Sequence, residues 1–272
     1  MNTNRISFQG QVRVYTGKCF RLFTAEKQWK NLISTLIIIL LICLVTGENM
    51  FVDFRDTKNG AFAVICACIW IGLFNSIQSV CRERAIVKRE HRTGMRIPAY
   101  ITAHVIYELA LCAAETLVVV IVVIVKNYSH LPPKGLILGA STDMFLTLLL
   151  VVFSSDMLAL LLSCIVKNEN TAMTVMPFVL IIQLVMSGAI FELDGIAEKV
   201  SYVTISKWGL SGICSIANTD AGVEQGNWLS GTELYEATAA ALAKSWLILL
   251  LFILLYILLS MLVLSGVDRD ER

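Results

Sequence analysis

Six long apolar runs, separated by short polar stretches, decide what this 272-residue chain can become. A helix of roughly 20 apolar residues crosses the hydrocarbon core of a bilayer, where only internal hydrogen bonds satisfy the backbone. The chain is 57% hydrophobic and 16% charged, too apolar for an ordinary soluble domain. The pattern predicts an all-α integral membrane protein: six transmembrane helices, an N-terminal interfacial helix, and a re-entrant external segment before the last helix.

Gly10 to Lys30 reads as an amphipathic helix. Val12, Tyr15, Cys19 and Phe23 share one face, and Arg13, Lys18 and Arg21 lie on others, a pattern suited to the membrane interface. The plainer reading is a disordered basic tail. Asn31 to Thr46 is the first span, short enough that Glu48 to Val52 is placed in the far interface. A short external loop precedes the second span, Gly60 to Val80, and Pro98 opens the third, Ala99 to Val125. Leu136 to Val166 holds the fourth, with a start near Thr142 also open, and Ala172 to Phe191 is the fifth, with a kink expected at Pro177. Glu192 to Thr238 mixes polar and aromatic residues and is expected to dip back as short helices. Ala239 to Leu264 is the sixth span.

Lys and Arg concentrate before the first span and between the second and third, while Glu192–Thr238 is net acidic. The positive-inside rule then puts both termini in the cytoplasm of a multi-pass plasma-membrane protein. The expected division is a cytoplasmic N-terminus at 1–30, a membrane domain at 31–266 and a cytoplasmic tail at 267–272. Within the membrane domain, 81–97 is a cytoplasmic loop and 192–238 the external segment. No cleavable signal peptide is expected, because a polar, basic stretch precedes the first apolar run.

The loop Cys81–Arg96 is the densest run of charge. As a helix it places Glu83, Ile86, Val87 and Glu90 on one stripe. Neither acid has a base three or four residues away, so neither can pair within the helix. The stripe is expected to dock on something basic elsewhere, or else to be a solvated topology signal. On the third span, His104, Glu108 and Glu115 fall within about 40° of one another, and Asp156 sits in the middle of the fourth. Ionisable groups at that depth face protein or water. They form either a relay or hydrated cavity wall, or a structural network between helices. The only Lys or Arg inside the spans is Lys244, near the start of the sixth, and at least one of the acids is expected to be protonated. Of eight cysteines, only Cys214 falls in an external segment, so no external intrachain disulfide is expected; no pair has metal-ligand context.

Three stretches in register, ERAIVKREHRTGMRIPAYITAHVIYEL, IVKNENTAMTVMPFVLIIQLVMSGAIFELDG and VSYVTISKWGLSGI, resemble the membrane domain of G-subfamily (White-type) ABC exporters over nearly the whole chain. The resemblance implies a bundle of interfacial helix, cytoplasmic loop helix and nucleotide-binding domain that passes ATP-driven motion to the membrane. It implies that Glu83, with Glu90 on the same stripe, belongs to that coupling region, and that Glu83 pairs with Arg13, Lys18 or Arg21. It implies that Cys68, Ile71, Asn75, Ile181 and Leu184 face a cavity between two protomers. It also implies that Ser187, Gly188, Ala189 and Ile190 form the external gate, although Ala189 departs from the bulky aliphatic usual there, and Asp156 replaces a small residue. No G-x-x-x-x-G-K-[ST] loop is present, so this chain is not expected to hydrolyse ATP by itself. ATP and Mg are expected on an ABC ATPase, as a separate subunit or in a part of the protein beyond this chain. A second permease protomer and the lipid bilayer are the other expected partners, and nucleic acid is not. The expected activity is export of an amphipathic or hydrophobic cargo; the alternative is a proton-coupled secondary carrier using the intramembrane His, Glu and Asp.

Overall fold

The computed structural model describes residues 7–25, 29–46, 50–51, 54–132, 135–191, 193–217 and 237–266. They are helical, with no strand among the described residues. In chain order the helices are α1 (Phe8–Ala25), α2 (Lys30–Val45), α3 (Phe54–Ser76), α4 (Ser79–Arg92) and α5 (Ile97–Lys126). After these come α6 (Ala140–Ile165), α7 (Glu169–Val185), α8 (Ile196–Ser201), α9 (Ile205–Ile216) and α10 (Ala239–Ser265). Among the described residues, four stretches are long and apolar enough to cross a membrane: Asp56–Arg92, which runs through α3 and α4, then Ile97–Lys126, Ala140–Ile165 and Ala239–Ser265. Asn31–Val45 and Glu169–Val185 are shorter apolar helices. The protein is an all-α membrane protein.

Helix α6 is the centre of the bundle, packed along α3, α5, α9 and α10. Lipid is as apolar as the side chains it meets, so close van der Waals packing and interhelical polar contacts must hold such helices together. Gly72 permits the closest approach. A Cβ there would lie 2.3 Å from the Val152 carbonyl oxygen and 3.0 Å from the Asp156 backbone nitrogen. Helix α9 reaches α6 in the same way, because a Cβ on Gly212 would come within 2.7 Å of the Thr147 methyl. All twelve residues of α9 are buried. The segment expected to form short helices holds α8 and the packed α9, and residues 218–236, which follow them, lie outside the described residues.

Several expected boundaries move. The second span begins at Phe54, inside the stretch read as an external loop. Asp56 stands in the first turn, where a carboxylate favours the positive end of the helix, and Phe51 N donates to Thr57 Oγ1 at 2.9 Å. The fourth helix begins at Ala140, between the two expected starts. Asp143 accepts backbone hydrogen bonds from Leu136, Ile137 and Leu138 and ties the incoming chain to its first turn. The fifth ends at Val185, not Phe191. There the Ser187 hydroxyl donates back to the Leu184 carbonyl at 2.7 Å, and Gly188 takes φ +73°, a left-handed conformation that closes a helix. The expected tail at 267–272 lies outside the described residues.

Replacing Gly72 by Ala or Leu is expected to destabilise the fold by about 1–3 kcal/mol, since the obstacle is backbone and not a flexible side-chain tip. Equilibrium unfolding in detergent would measure the loss.

Candidate functional site

Two helices outside the central bundle, α1 and α4, meet the start of α5 in one polar joint. Proline at the start of α5 suits a first helical turn, and α4 is set against α6 by reciprocal capping. Ser163 Oγ accepts from the backbone N–H groups of Val80 and Cys81, both at 3.0 Å, satisfying donors that the first turn of α4 leaves free. In return the Arg84 guanidinium donates to the carbonyls of Cys164 at 2.7 Å and Val166 at 3.1 Å, at the negative end of α6. These contacts tie α4 to the end of the central helix.

Helix α1 grips the outer side of this pair. Lys18 Nζ lies 2.8 Å from Glu83 Oε2, the one salt bridge among the described residues. Of the three bases considered for Glu83, Lys18 is the one in contact; Arg13 and Arg21 are exposed. Tyr100 also donates to Glu83 Oε2, at 3.5 Å. Glu90 meets no base there: it accepts the Tyr15 hydroxyl at 2.9 Å. Burial first, and the Glu90 carboxylate second, push the Tyr15 phenol up to about 12, so it stays a donor throughout the physiological range. Gln11 completes the grip, donating to the Gly94 carbonyl at 3.2 Å and accepting from Arg96 N at 3.0 Å. Val87 is buried but Ile86 is 40% exposed, so only part of the expected stripe docks.

The apolar stripe of α1 packs on α5 and not on lipid. Cys19 is buried against Tyr107 and Leu111, with Phe23 alongside, and Tyr15 meets the Tyr100 ring edge-on at 5.8 Å. Burial pushes the Cys19 thiol up to about 12. Tyr15, Gln11, Arg84 and Ser163 escaped the sequence reading. Tyr15 was visible only as an apolar-stripe member, and the others act through backbone groups that no spacing rule reports.

The intramembrane acids gather at a second place, where α5 faces α3 and α6. His104, Glu108, Glu115 and Asp156 are all buried. Asn75 Nδ2 donates to Glu115 Oε2 at 2.6 Å, and Cys112 Sγ to Asp156 Oδ2 at 3.4 Å. The structure thus brings these acids together with Asn75, which the resemblance had placed in a cavity.

The remaining cavity and gate positions divide. Cys68 is fully buried and Ile71 is 4% exposed, so within this chain both lie in the core and not on an accessible lining. Their face of α3 is the one that Gly72 brings against α6. The open face carries Trp70 and Phe74, whose rings stack at 5.2 Å. On α7, Ile181 is 54% exposed and Leu184 is half-buried against the core. Beyond α7, Ser187 is buried and Ala189 turns toward the core, while Ile190 and the unforeseen Phe191 are exposed together. Gln183 anchors this end to α9, accepting from the Ile205 and Ser206 amides at 2.9 and 3.3 Å.

The ABC-2 type transporter family matches residues 11–217, from the grip of α1 through the buried helix α9. The chain belongs to this family. It is a membrane component of an ABC transporter. A curated relative, an ABC transporter ATP-binding/permease protein of Mycobacterium tuberculosis, is 28% identical over 147 residues. That match spans 53% of the ABC-2 permease described here and 17% of the relative's own length.

A double-mutant cycle on Lys18→Ala and Glu83→Ala is expected to give a coupling of ~0.5–1 kcal/mol, the scale of a partly exposed pair. Additive losses would show that the two side chains do not interact. Cys19 is expected to resist a membrane-permeant maleimide at mildly alkaline pH until the protein is unfolded, as mass spectrometry would show.

Proposed function

We propose that this chain is the permease subunit of an ATP-driven exporter, and that the joint of α1, α4 and α5 receives force from an ATPase. The observation that carries this reading is the joint itself. Glu83 is held by Lys18 and Tyr100, Glu90 by Tyr15, and the α4–α5 turn by Gln11, so displacement of α4 moves α1 and α5 with it. The Arg84 and Ser163 caps extend the same displacement to α6. The basic residues around α4 put this end, with both termini, on the cytoplasmic side of the plasma membrane.

The ATPase binds ATP and Mg and supplies the hydrolysis; this chain contains no phosphate-loop motif. Permeases of this family work with such an ATPase, and the mycobacterial relative's name joins an ATP-binding and a permease function in one protein. A second permease protomer completes the path. Support for it comes from α3 and α7, which touch each other and expose Trp70, Phe74, Phe178 and Ile181. An apolar lining of that kind suits an amphipathic cargo such as a lipid, hydrophobic peptide or drug. Ile190 and Phe191, exposed beyond α7, are placed at the external gate.

Glu83→Ala is expected to leave assembly with the ATPase intact, while ATP hydrolysis continues and transport falls at least several-fold. Reconstituted vesicles, assayed for phosphate release and cargo movement in parallel, would measure both. Unchanged transport in that variant, or cargo movement with no ATPase present, would remove the reading.

A further inference from the structure

Glu108 and Asp156 face each other's surroundings where α5 meets α3 and α6, and both are almost wholly buried, 2% and 0% exposed. Glu108 Oε2 and Asp156 Oδ1 make no hydrogen bond. Among the described residues no salt bridge reaches Glu108, Glu115 or Asp156. A third group points into the same place: Ser76 on α3 is fully buried, its hydroxyl has no hydrogen-bond partner, and it neighbours both carboxyls.

Among the described residues, the other helices bring no salt bridge to this charge. Helix α5 itself adds His104, Tyr107, Cys112 and Glu115, and α1 adds Cys19. His104 Nδ1 is buried without a hydrogen-bond partner, and Lys18 is taken by Glu83. Thr35 of α2 lies beside Glu115, which also has the Asn75 amide as a donor. Two ionised carboxylates, buried close together without a cation, are strongly disfavoured. Among the described residues no three His, Cys, Asp or Glu side chains converge as ligands.

We propose that Glu108 and Asp156 hold one proton between them, with the Ser76 hydroxyl completing the pair, so that the junction of α3, α5 and α6 is a proton-binding site. A proton on either carboxyl turns an acceptor-only group into a donor. Asp156 has the Cys112 thiol as a donor, and the buried Ser76 hydroxyl, with no partner of its own, is available to the pair. The site stands on its burial and geometry and is independent of how transport is driven.

Infrared spectroscopy of the full chain in lipid nanodiscs tests this. At neutral pH the wild-type protein should show the C=O stretch of a protonated carboxyl, shifting on exchange into heavy water. Glu108→Gln and Asp156→Asn should each abolish or shift a component of that band, and Glu115→Gln should remove at most a separate component. Should either of the first two variants fail to fold, Ser76→Ala gives a gentler readout: the band persists at a changed frequency. A spectrum without a protonated carboxyl at neutral pH overturns the proposal. So does a band that none of Glu108→Gln, Asp156→Asn and Ser76→Ala alters. Disappearance of the band on adding sodium at constant pH would assign the site to a metal cation, and also overturns it.

Discussion

The contact of α3 with α6 at Gly72 is the constraint on which the rest of the bundle rests. Because lipid offers apolar side chains as good an environment as another helix does, the helices gain by approaching until their atoms interlock. A backbone carbonyl within 2.3 Å of where a Cβ would stand leaves room for glycine alone. That approach turns Cys68 and Ile71 inward and leaves Trp70 and Phe74 on the open side. It also brings Ser76 up to Glu108 and Asp156. The core, the exposed face and the acid cluster are consequences of one close crossing.

The joint at the end of the bundle is built on a different principle. Its contacts are polar, partly exposed and individually weak, and a surface ion pair contributes little to stability. What they supply is direction. Lys18, Tyr100 and Tyr15 hold α4 through its two acids, while Ser163 and Arg84 fix the α4 backbone and side chain to the end of α6. A helix held on both sides is fixed in direction as well as in position, which is what the proposed coupling role requires.

Much of the outline was legible beforehand, and the misses have a common cause. Apolar runs located the helices, because periodicity and length are properties of one segment. Glu83 and Glu90 stood out because neither had a base on its own helix. The ends of α3 and α7 were misplaced because Asp56, Ser187 and Gly188 set them through local capping and backbone conformation, which hydropathy does not register. Ile86 was misassigned because a helical stripe does not say how wide the docked face is.

The amino-acid order alone determined that this chain is a helical membrane protein, with uncompensated acids on two of its spans and a charged helix whose carboxylates need partners elsewhere. Those conclusions need only composition, spacing and the energetic cost of burying charge. Which partner each acid finds was decided by tertiary structure. Lys18 rather than Arg13 or Arg21 reaches Glu83, Glu90 takes a tyrosine, and Cys68 and Ile71 turn to the core. The reason is geometric: partners on separate helices are selected by crossing angle and depth of approach, and these emerge only when several helices pack at once.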